Sequence, residues 1–290
     1  MGYSFTRDAL LLLLADGMGG HLHGEVAATI AMQTIGALFQ KQAAPYIKKP
    51  EQFLEDSFFA AHRDIHRHRT IHNLAETPRT TIVACLIQHN TAYWAHCGDS
   101  RLYWMRNGQI LARTRDHSRI ETLIAQGRAD PSERTTHPDR NKLFNCLGAP
   151  NMPIVEISRR ASLQAGDVML LCSDGLWGAL PDHLLAQRLQ TNTIVRAVPE
   201  LISTALGISG KTSDNVTALA MMWESGSSVT DMNTITTNVL PLGAMTTTIQ
   251  SPPASESDAA ASSFDESDIE KAIEEIRGAI EKSSRLTSRN

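Results

Sequence analysis

Apolar and polar positions follow two kinds of spacing between residues 1 and 223. At residues 24–41 and 50–68, apolar side chains recur every three or four positions, which predicts two amphipathic helices. Further helices are predicted at residues 118–126, 181–190 and 194–206. Short runs of β-forming residues predict strands at 10–14, 80–87, 92–97, 101–106, 109–111, 154–160, 168–172 and 216–223.

The order of these elements predicts the fold class. Asn107-Gly108 separates two strand patterns and is a dipeptide that favours a tight hairpin. Most neighbouring strands have similarly short connections, so we predict an α+β fold with antiparallel sheets and outer helices rather than a parallel doubly wound sheet. Residues 116–150 are polar and interrupt the strand pattern, which predicts a flap.

The chain changes character after Trp223. Residues 224–290 carry five basic and eleven acidic residues, and Ser, Thr, Ala, Gly and Pro dominate as far as residue 263. We therefore predict a domain at 1–223, a disordered Ser/Thr-rich linker at 224–263 and an amphipathic helix at 264–285. Two interpretations of this helix stay open: it docks on the domain or frays, or it self-associates or recruits a partner. Its apolar seam consists of Ile269, Ile273, Ile276 and Ile280.

Charge and composition argue against several classes of protein. The formal net charge is −4 and no basic patch is concentrated anywhere, so a nucleic-acid binder is not expected. The N-terminal apolar run has five leucines, far fewer than the ~20 apolar residues of a membrane span, so we expect a cytoplasmic protein without a membrane segment. The four cysteines lack CxxC spacing and are predicted to be reduced and buried.

Aspartates follow predicted strands at several places. Asp16-Gly17-Met18-Gly19-Gly20 comes directly after the leucine run, and such a glycine turn leaves a carboxylate and a carbonyl oxygen open to a cation. Asp116, Asp174 and Asp214 stand in similar settings. We predict that these four aspartates form one acidic metal site at the strand ends, whereas Asp99 is interpreted as a structural turn residue.

Such a site has a definite chemistry. Two like charges 4 Å apart repel by about 4 kcal/mol at an effective dielectric near 20, so gathered carboxylates need cations. Oxygen-only ligands favour Mg²⁺ or Mn²⁺ over Zn²⁺. Two ions that share a bridging aspartate lower the pKa of the water between them and so generate a nucleophile. Phosphate monoesters, which hydrolyse extremely slowly without a catalyst, are the natural substrates.

A series of motifs resembles the metal-dependent protein serine/threonine phosphatases of the type 2C class, and the Met in the glycine turn resembles the bacterial branch. The similarity covers roughly residues 8–223 and implies a four-layer αββα sandwich with a metal cleft at one end. The motifs are, in chain order, Asp16-Gly17-Met18-Gly19-Gly20, Gly24-Glu25-Val26-Ala27-Ala28, Thr80-Thr81, Gly98-Asp99-Ser100-Arg101, Asp116-His117-Ser118, Leu147-Gly148, Ser173-Asp174-Gly175-Leu176-Trp177 and Asp214-Asn215-Val216-Thr217.

The resemblance also implies an activity and a role for each site residue. The activity is hydrolysis of phosphoserine and phosphothreonine on proteins by a metal-activated water, with an opposing Ser/Thr kinase. Asp16 would bridge two Mn²⁺ or Mg²⁺ ions, and the Gly17 carbonyl would complete the first. Asp174 and Asp214 would bind the second, so that Asp16, Asp174 and Asp214 position the water. Asp116 would help to hold a weaker third ion.

Three features depart from the family pattern. The usual N-terminal strand with an Arg and an Asn-Glu-Asp segment is expected to be missing, because only fifteen residues precede Asp16. Its loss would leave a sheet edge exposed or open to another segment. Gly178 stands where many relatives have another Asp, which weakens the third ion site. Met18 replaces the His that serves as general acid in animal members, which leaves His21 and His117 as candidates.

Other functions stay open at this point. One is an inactive or weakly active pseudophosphatase that acts as a binding module through its C-terminal helix. Another is a metal-dependent phosphohydrolase that acts on a small molecule. A separate metal site at His62, His66, His68 and His72 is not expected, because interleaved arginines favour a solvated surface helix.

Overall fold

The computed structural model describes residues 1–18, 23–158, 160–210, 215–224 and 236–239. Its strands are β1 (Gly2–Phe5), β2 (Ala9–Gly17), β3 (Thr80–Gln88), β4 (Thr91–Cys97), β5 (Arg101–Arg106), β6 (Gln109–Arg113), β7 (Glu156–Ile157), β8 (Ala161–Ser162), β9 (Val168–Cys172), β10 (Ala218–Met222) and β11 (Thr236–Val239). Its α-helices are α1 (Gly24–Gln42), α2 (Pro50–Ile71), α3 (Arg119–Ala125), α4 (Asp174–Trp177), α5 (Asp182–Thr191) and α6 (Ile194–Ser209). A short 3₁₀ helix covers Pro131–Thr135 in the predicted flap.

The strands form two antiparallel sheets. The first has the order β11-β1-β2-β3-β4-β7, and β8 also pairs with β4. The second has the order β10-β9-β5-β6. The predicted hairpin at Asn107-Gly108 joins β5 to β6, and both residues have positive φ, as this turn requires.

Side chains that alternate along β2 show how the layers pack. Leu11 and Leu13 belong to the core beneath α1 and α2, whereas Leu12 and Leu14 belong to the core between the two sheets. A third core covers the outer face of the second sheet with α4, α5 and α6. This is an αββα arrangement, so the predicted fold class is confirmed. All four cysteines are buried, as predicted.

The strand predicted at 154–160 is shorter than expected. Among the described residues of this stretch, β7 pairs with β4 over two residues, and β8, also of two residues, pairs with β4 directly after this stretch. Between them, the Trp94 N–H donates to the Ser158 side-chain oxygen (2.9 Å), and the Ser158 N–H donates to the Trp94 carbonyl (2.8 Å). The serine side chain takes the place of a backbone acceptor, and the ladder is interrupted at that point.

The edge of the first sheet differs most from the sequence predictions. The strand β1 was not predicted, and it pairs with β2 after a three-residue connection. Residues 224–263 were predicted as a linker alone, but β11 lies within them and pairs with β1. An unpaired edge strand presents free N–H and C=O groups, which explains why a β-forming segment of the same chain adds there. Apart from Glu224 and β11, the predicted linker lies outside the described residues. The predicted helix 264–285 also lies outside them.

The backbone alternation of β1 gives a test of this edge pairing. The Thr6 N–H, just beyond β1, donates to the Ala9 carbonyl on the β2 side (2.8 Å). The N–H and C=O groups of successive residues in a strand point to opposite sides. Those of Tyr3 and Phe5 therefore point away from β2 and toward β11. Tyr3 pairs with Asn238, so the Asn238 N–H faces β1 while that of Thr237 faces away.

Proline at these two positions should therefore act differently. We expect Asn238→Pro to remove a ladder hydrogen bond and to speed hydrogen exchange at Tyr3 and Phe5 by about 2–10-fold or more. Thr237→Pro is the matched control, because proline is tolerated where an edge-strand N–H faces solvent. Peptide-resolved hydrogen exchange measures both variants. Equal exchange in the two variants would contradict the pairing of β11 with β1.

A helix that spans a bilayer needs about 20 mostly apolar residues. In the ranges that the structure covers, each helix is too short or too polar to cross a membrane.

Candidate metal centre

The predicted glycine turn begins where β2 ends. Asp16 and Gly17 are the last residues of β2 and pair with Thr81 and Thr80 on β3. The Thr80 hydroxyl donates to the Asp16 carbonyl (2.8 Å). The backbone on both sides of the Asp16 carboxylate is thus fixed by the sheet, while its side chain is half-buried.

Close packing at Gly17 requires the absence of a side chain. A Cβ at Gly17 would lie 2.4 Å from the carbonyl carbon of Gly24 and 2.5 Å from its oxygen. It would also lie 2.8 Å from the backbone nitrogen of Glu25. The end of β2 therefore lies directly against the first residues of α1, and only glycine allows this contact.

Asp174 opens the one-turn helix α4 at the end of β9. The residue before it, Ser173, is buried and ties two segments together. Its hydroxyl donates to the Asn215 carbonyl (2.9 Å) and accepts from the Thr217 N–H (3.0 Å). Asp214 itself lies outside the described residues. The structure therefore places the residue that follows Asp214 beside the residue that precedes Asp174.

Asp99 shows which of the predicted aspartates come together. Its carboxyl pKa is raised well above the usual value, first by burial and then by the negative charges of Asp174, Asp116 and Asp16. Asp16, Asp116 and Asp174 are therefore near enough to one buried carboxyl group for their charges to act on it. Asp99 was interpreted as a structural turn residue, although it follows a strand within a glycine turn like the others. We call these four carboxylates the acidic centre.

Asp116 has a different setting from the other members. Both of its oxygens accept hydrogen bonds from Arg101, one from Nε (2.8 Å) and one from Nη2 (2.7 Å). The exposed fraction is 3% for the Arg101 side chain and 1% for that of Asp116. Burial lowers the pKa of Arg101, but the hydrogen bonds and charge of Asp116 outweigh this effect and raise it, so the guanidinium stays charged.

Aromatic and polar groups surround this ion pair. The Arg101 guanidinium carbon lies 3.6 Å from the centroid of the Trp177 ring, and the Trp177 indole N–H donates to the Asp99 carbonyl (2.9 Å). Arg101 also donates to the Tyr103 hydroxyl (3.0 Å), which in turn donates to Asp182 (2.9 Å). The pair is therefore part of a connected network that reaches α4 and α5.

The candidate acid His117 has a fixed tautomer. Asn145 Oδ1 accepts from the Ile154 N–H (3.0 Å), so Asn145 Nδ2 is the donor that faces His117 Nδ1 (2.6 Å). The Gly98 N–H also donates to His117 Nδ1 (3.2 Å). Neutral His117 therefore carries its proton on Nε2, which lies 3.3 Å from a Glu156 oxygen.

This tautomer does not suit two roles of His117. Potential ligand atoms of His96, His117 and Glu156 lie within 4.8 Å of one another, but His117 Nε2 carries a proton and cannot bind a metal in this state. Burial, and next the charge of His96, lower the pKa of His117 to about 4. With its proton directed to Glu156, His117 does not fit the general acid role either. The other candidate, His21, lies outside the described residues.

The three histidines of α2 and His72, which follows it, do not all lie on a solvated face. His62 is buried, and its Nδ1 accepts from the Gly148 N–H (3.2 Å). Burial, and next the charge of His66, lower the pKa of His62 to about 4, so its ring is neutral. His72 is exposed, as expected. The prediction of a surface position was therefore wrong for His62, because its ring packs between α2 and the last residues of the flap.

The described donors of the acidic centre fit hard divalent cations. Asp16, Asp174 and the Gly17 carbonyl offer oxygen atoms only, and the glycine contact leaves no side chain beside that carbonyl. Oxygen donors of this kind suit Mg²⁺ or Mn²⁺. In the described part of the chain, no three of the four carboxylates bring their oxygens within 4.8 Å of one another, so they are not closed around a single ion.

A cavity of about 370 Å³ opens beside Asp174. One wall comes from the flap and the other from α4 and the end of α6. Arg134 in the flap pairs with Glu121, whereas no described acidic side chain pairs with Arg140. The lining residues are Arg134, Thr135, Arg140, Asn141, Asp174, Gly175, Trp177, Gly178, Ala179, Ile208 and Ser209.

Comparisons with known proteins agree with this geometry. Residues 1–207 match the family described as Protein phosphatase 2C. The serine/threonine protein phosphatase PstP of Mycobacterium tuberculosis is 33% identical over 216 residues, which cover 74% of this chain and 41% of that protein. The chain thus spans less than half the length of this relative.

Solved structures show the same fold. The serine/threonine phosphatase of S. agalactiae superposes with a TM-score of 0.67 at 27% identity, covering 76% of this chain and 91% of that one. The catalytic domain of the serine/threonine protein phosphatase PstP in complex with two manganese ions superposes with a TM-score of 0.61 at 31% identity. That comparison covers 72% of this chain and 85% of the PstP domain.

Proposed function

The chain belongs to the protein phosphatase 2C family, and on that premise we propose that it hydrolyses phosphoserine and phosphothreonine on proteins. Two divalent cations, Mn²⁺ or Mg²⁺, would be required. The observation that carries the proposal is the acidic centre: Asp16 ends β2, Asp174 follows β9, and the charges of both, with that of Asp116, act on the buried Asp99. Carboxylates this close together repel one another, and divalent cations would offset their charge.

The described residues have separate roles in this proposal. Asp16 and the Gly17 carbonyl would hold one ion, and Asp16 and Asp174 would hold the other, with Asp214 as a further ligand. When bound, the ions lower the pKa of water and offset the charge of the phosphate. The β2–β3 pairing and the Ser173 hydrogen bonds keep these ligands in place, which limits the rearrangement that the reaction requires.

The cavity beside Asp174 supports a protein substrate. It is open to solvent between the flap and α6, and Ile208 on its border is exposed. Arg140 adds a cation that can attract the anionic phosphate or an acidic neighbour in the substrate. We propose that a phosphorylated segment of another protein lies in this cavity, with its phosphate directed to the acidic centre. A Ser/Thr kinase would supply such a substrate.

Phosphate release from a phosphothreonine peptide tests the proposed function. We expect release that depends on Mn²⁺ and stops when EDTA removes the metal, because the carboxylates alone would repel the substrate phosphate. A matched phosphotyrosine peptide should be a poorer substrate. A folded chain that binds Mn²⁺ and releases no phosphate at any Mn²⁺ concentration would favour the binding-module alternative instead.

A further inference from the structure

The ion pair between Arg101 and Asp116 occupies a position that the family resemblance assigns to a metal ligand. Both Asp116 oxygens accept hydrogen bonds from one guanidinium in a bidentate geometry. Each oxygen has a second lone pair, but the carboxylate is 1% exposed and packed within the Arg101, Tyr103 and Asp182 network. An ion that bound Asp116 would have to displace a buried charge partner.

Displacing Arg101 would be unfavourable for a second reason. Its guanidinium lies over the Trp177 ring at 3.6 Å, so it has no route to solvent without losing this contact as well. It is also a positive group buried beside the carboxylates of the acidic centre. A buried charge that loses its partner is strongly destabilising. The pairing of Asp116 with Arg101 is therefore favoured over release.

The neighbouring position offers no replacement ligand. Gly178 follows α4 and lacks a carboxylate, and a Cβ there would lie 2.8 Å from the Asp174 carbonyl oxygen. Hard cations such as Mg²⁺ are held by one or two carboxylates together with waters, and while Arg101 engages both Asp116 oxygens, positions 116 and 178 supply no free carboxylate oxygen. The described residues thus do not fit a third ion at this place.

We propose that Arg101 is a positioning residue that keeps Asp116 as an anchor of the acidic centre, so that the chain binds two divalent cations and Asp116 binds none. This inference rests on the proposed metal-dependent function. It replaces the predicted role of Asp116 as a ligand of a weaker third ion. The anchor connects the β4–β5 loop, the start of the flap and α4 through one network, and it supplies one permanent positive charge.

Counting bound Mn²⁺ in the full chain tests the proposal without relying on activity. We expect two ions per chain in the unchanged protein and in Asp116→Asn, measured by equilibrium dialysis with the free metal followed by electron paramagnetic resonance. Asp167→Asn is the matched control, because Asp167 is also fully buried and receives two hydrogen bonds from Arg106. Asp116→Asn should unfold about 6–12 °C below the unchanged chain, since it takes the bidentate partner from the buried Arg101. Asp167→Asn should also unfold at a lower temperature, by a smaller amount because the Arg106 side chain is 24% exposed.

A second pair of variants isolates Arg101. Lysine keeps the positive charge but cannot make the bidentate contact, so Arg101→Lys should release one Asp116 oxygen and admit a third, weaker Mn²⁺. Arg106→Lys, at the control pair, should leave the count at two.

The possible outcomes separate this inference from the proposed function. Three ions in the unchanged chain and two in Asp116→Asn would overturn the inference alone, as would a count that stays at two in Arg101→Lys. A folded chain that binds no Mn²⁺ would overturn both.

Discussion

Asp174→Asn is expected to lower kcat/KM for a phosphothreonine peptide by more than about 100-fold, because even the loss of a partner to a metal ligand costs 10–100-fold. The substitution keeps the shape of the side chain but removes its negative charge. A neutral amide is a poor ligand for Mn²⁺ compared with a carboxylate, so the proposed second ion would be lost at ordinary metal concentrations. Steady-state assays over a wide range of Mn²⁺ concentrations measure the effect.

Asp174→Asn should lower activity but raise the stability of the metal-free chain. After burial, the charge of Asp174 makes the largest contribution to the raised pKa of Asp99. Neutralising Asp174 therefore relieves repulsion in the acidic centre. We expect a higher Tm for the metal-free chain and a smaller rise in Tm on addition of Mn²⁺. Asp64→Asn is the control, because Asp64 lies on α2 and pairs with Arg67 away from the centre. If Mn²⁺ raised the Tm of Asp174→Asn as much as it raises that of the unchanged chain, Asp174 would not be a metal ligand.

The elements with strong local signals were predictable from the sequence. The bounds of β5 and β9 agree with prediction, and α1 agrees to within one residue at its end. Each has a local cause: alternating apolar residues, a buried apolar run or helical spacing. The strand β1 was missed because four residues are too few for a clear period, and β11 was missed because its pairing depends on an edge that only the folded sheet creates.

Part of the candidate site was likewise predictable from local sequence signals, and part depends on contacts that form only in the folded chain. The positions of Asp16 and Asp174 follow from the ends of buried strands, and the charges of both raise the pKa of Asp99 further than burial alone does. The contact between Arg101 and Asp116 could not be predicted, because it depends on the direction of two side chains from different segments. Asp99 could have been included, since Gly98-Asp99 follows β4 as Asp16 follows the leucine run.

Gly17→Ala should impair both folding and metal binding. The added Cβ would lie 2.4–2.8 Å from three backbone atoms of Gly24 and Glu25, and backbone at the start of α1 cannot move aside as a flexible side chain could. Overpacking of this kind costs about 1–3 kcal/mol or more. Thermal unfolding should show a Tm about 2–12 °C lower, since 1 kcal/mol corresponds to about 2–4 °C at this size.

The same change reaches the metal ligands, because relief of the overlap moves the Gly17 carbonyl or the Asp16 carboxylate. We therefore expect Gly17→Ala to bind Mn²⁺ more weakly in calorimetric titrations at a temperature where it is still folded. Gly207→Ala is the matched control: Gly207 lies within α6, and a Cβ there has open space. Alanine in a helix gains about 1 kcal/mol over glycine, so this control should be more stable and bind Mn²⁺ normally. Equal Mn²⁺ affinity in both variants would mean that the contact between β2 and α1 does not position the metal ligands.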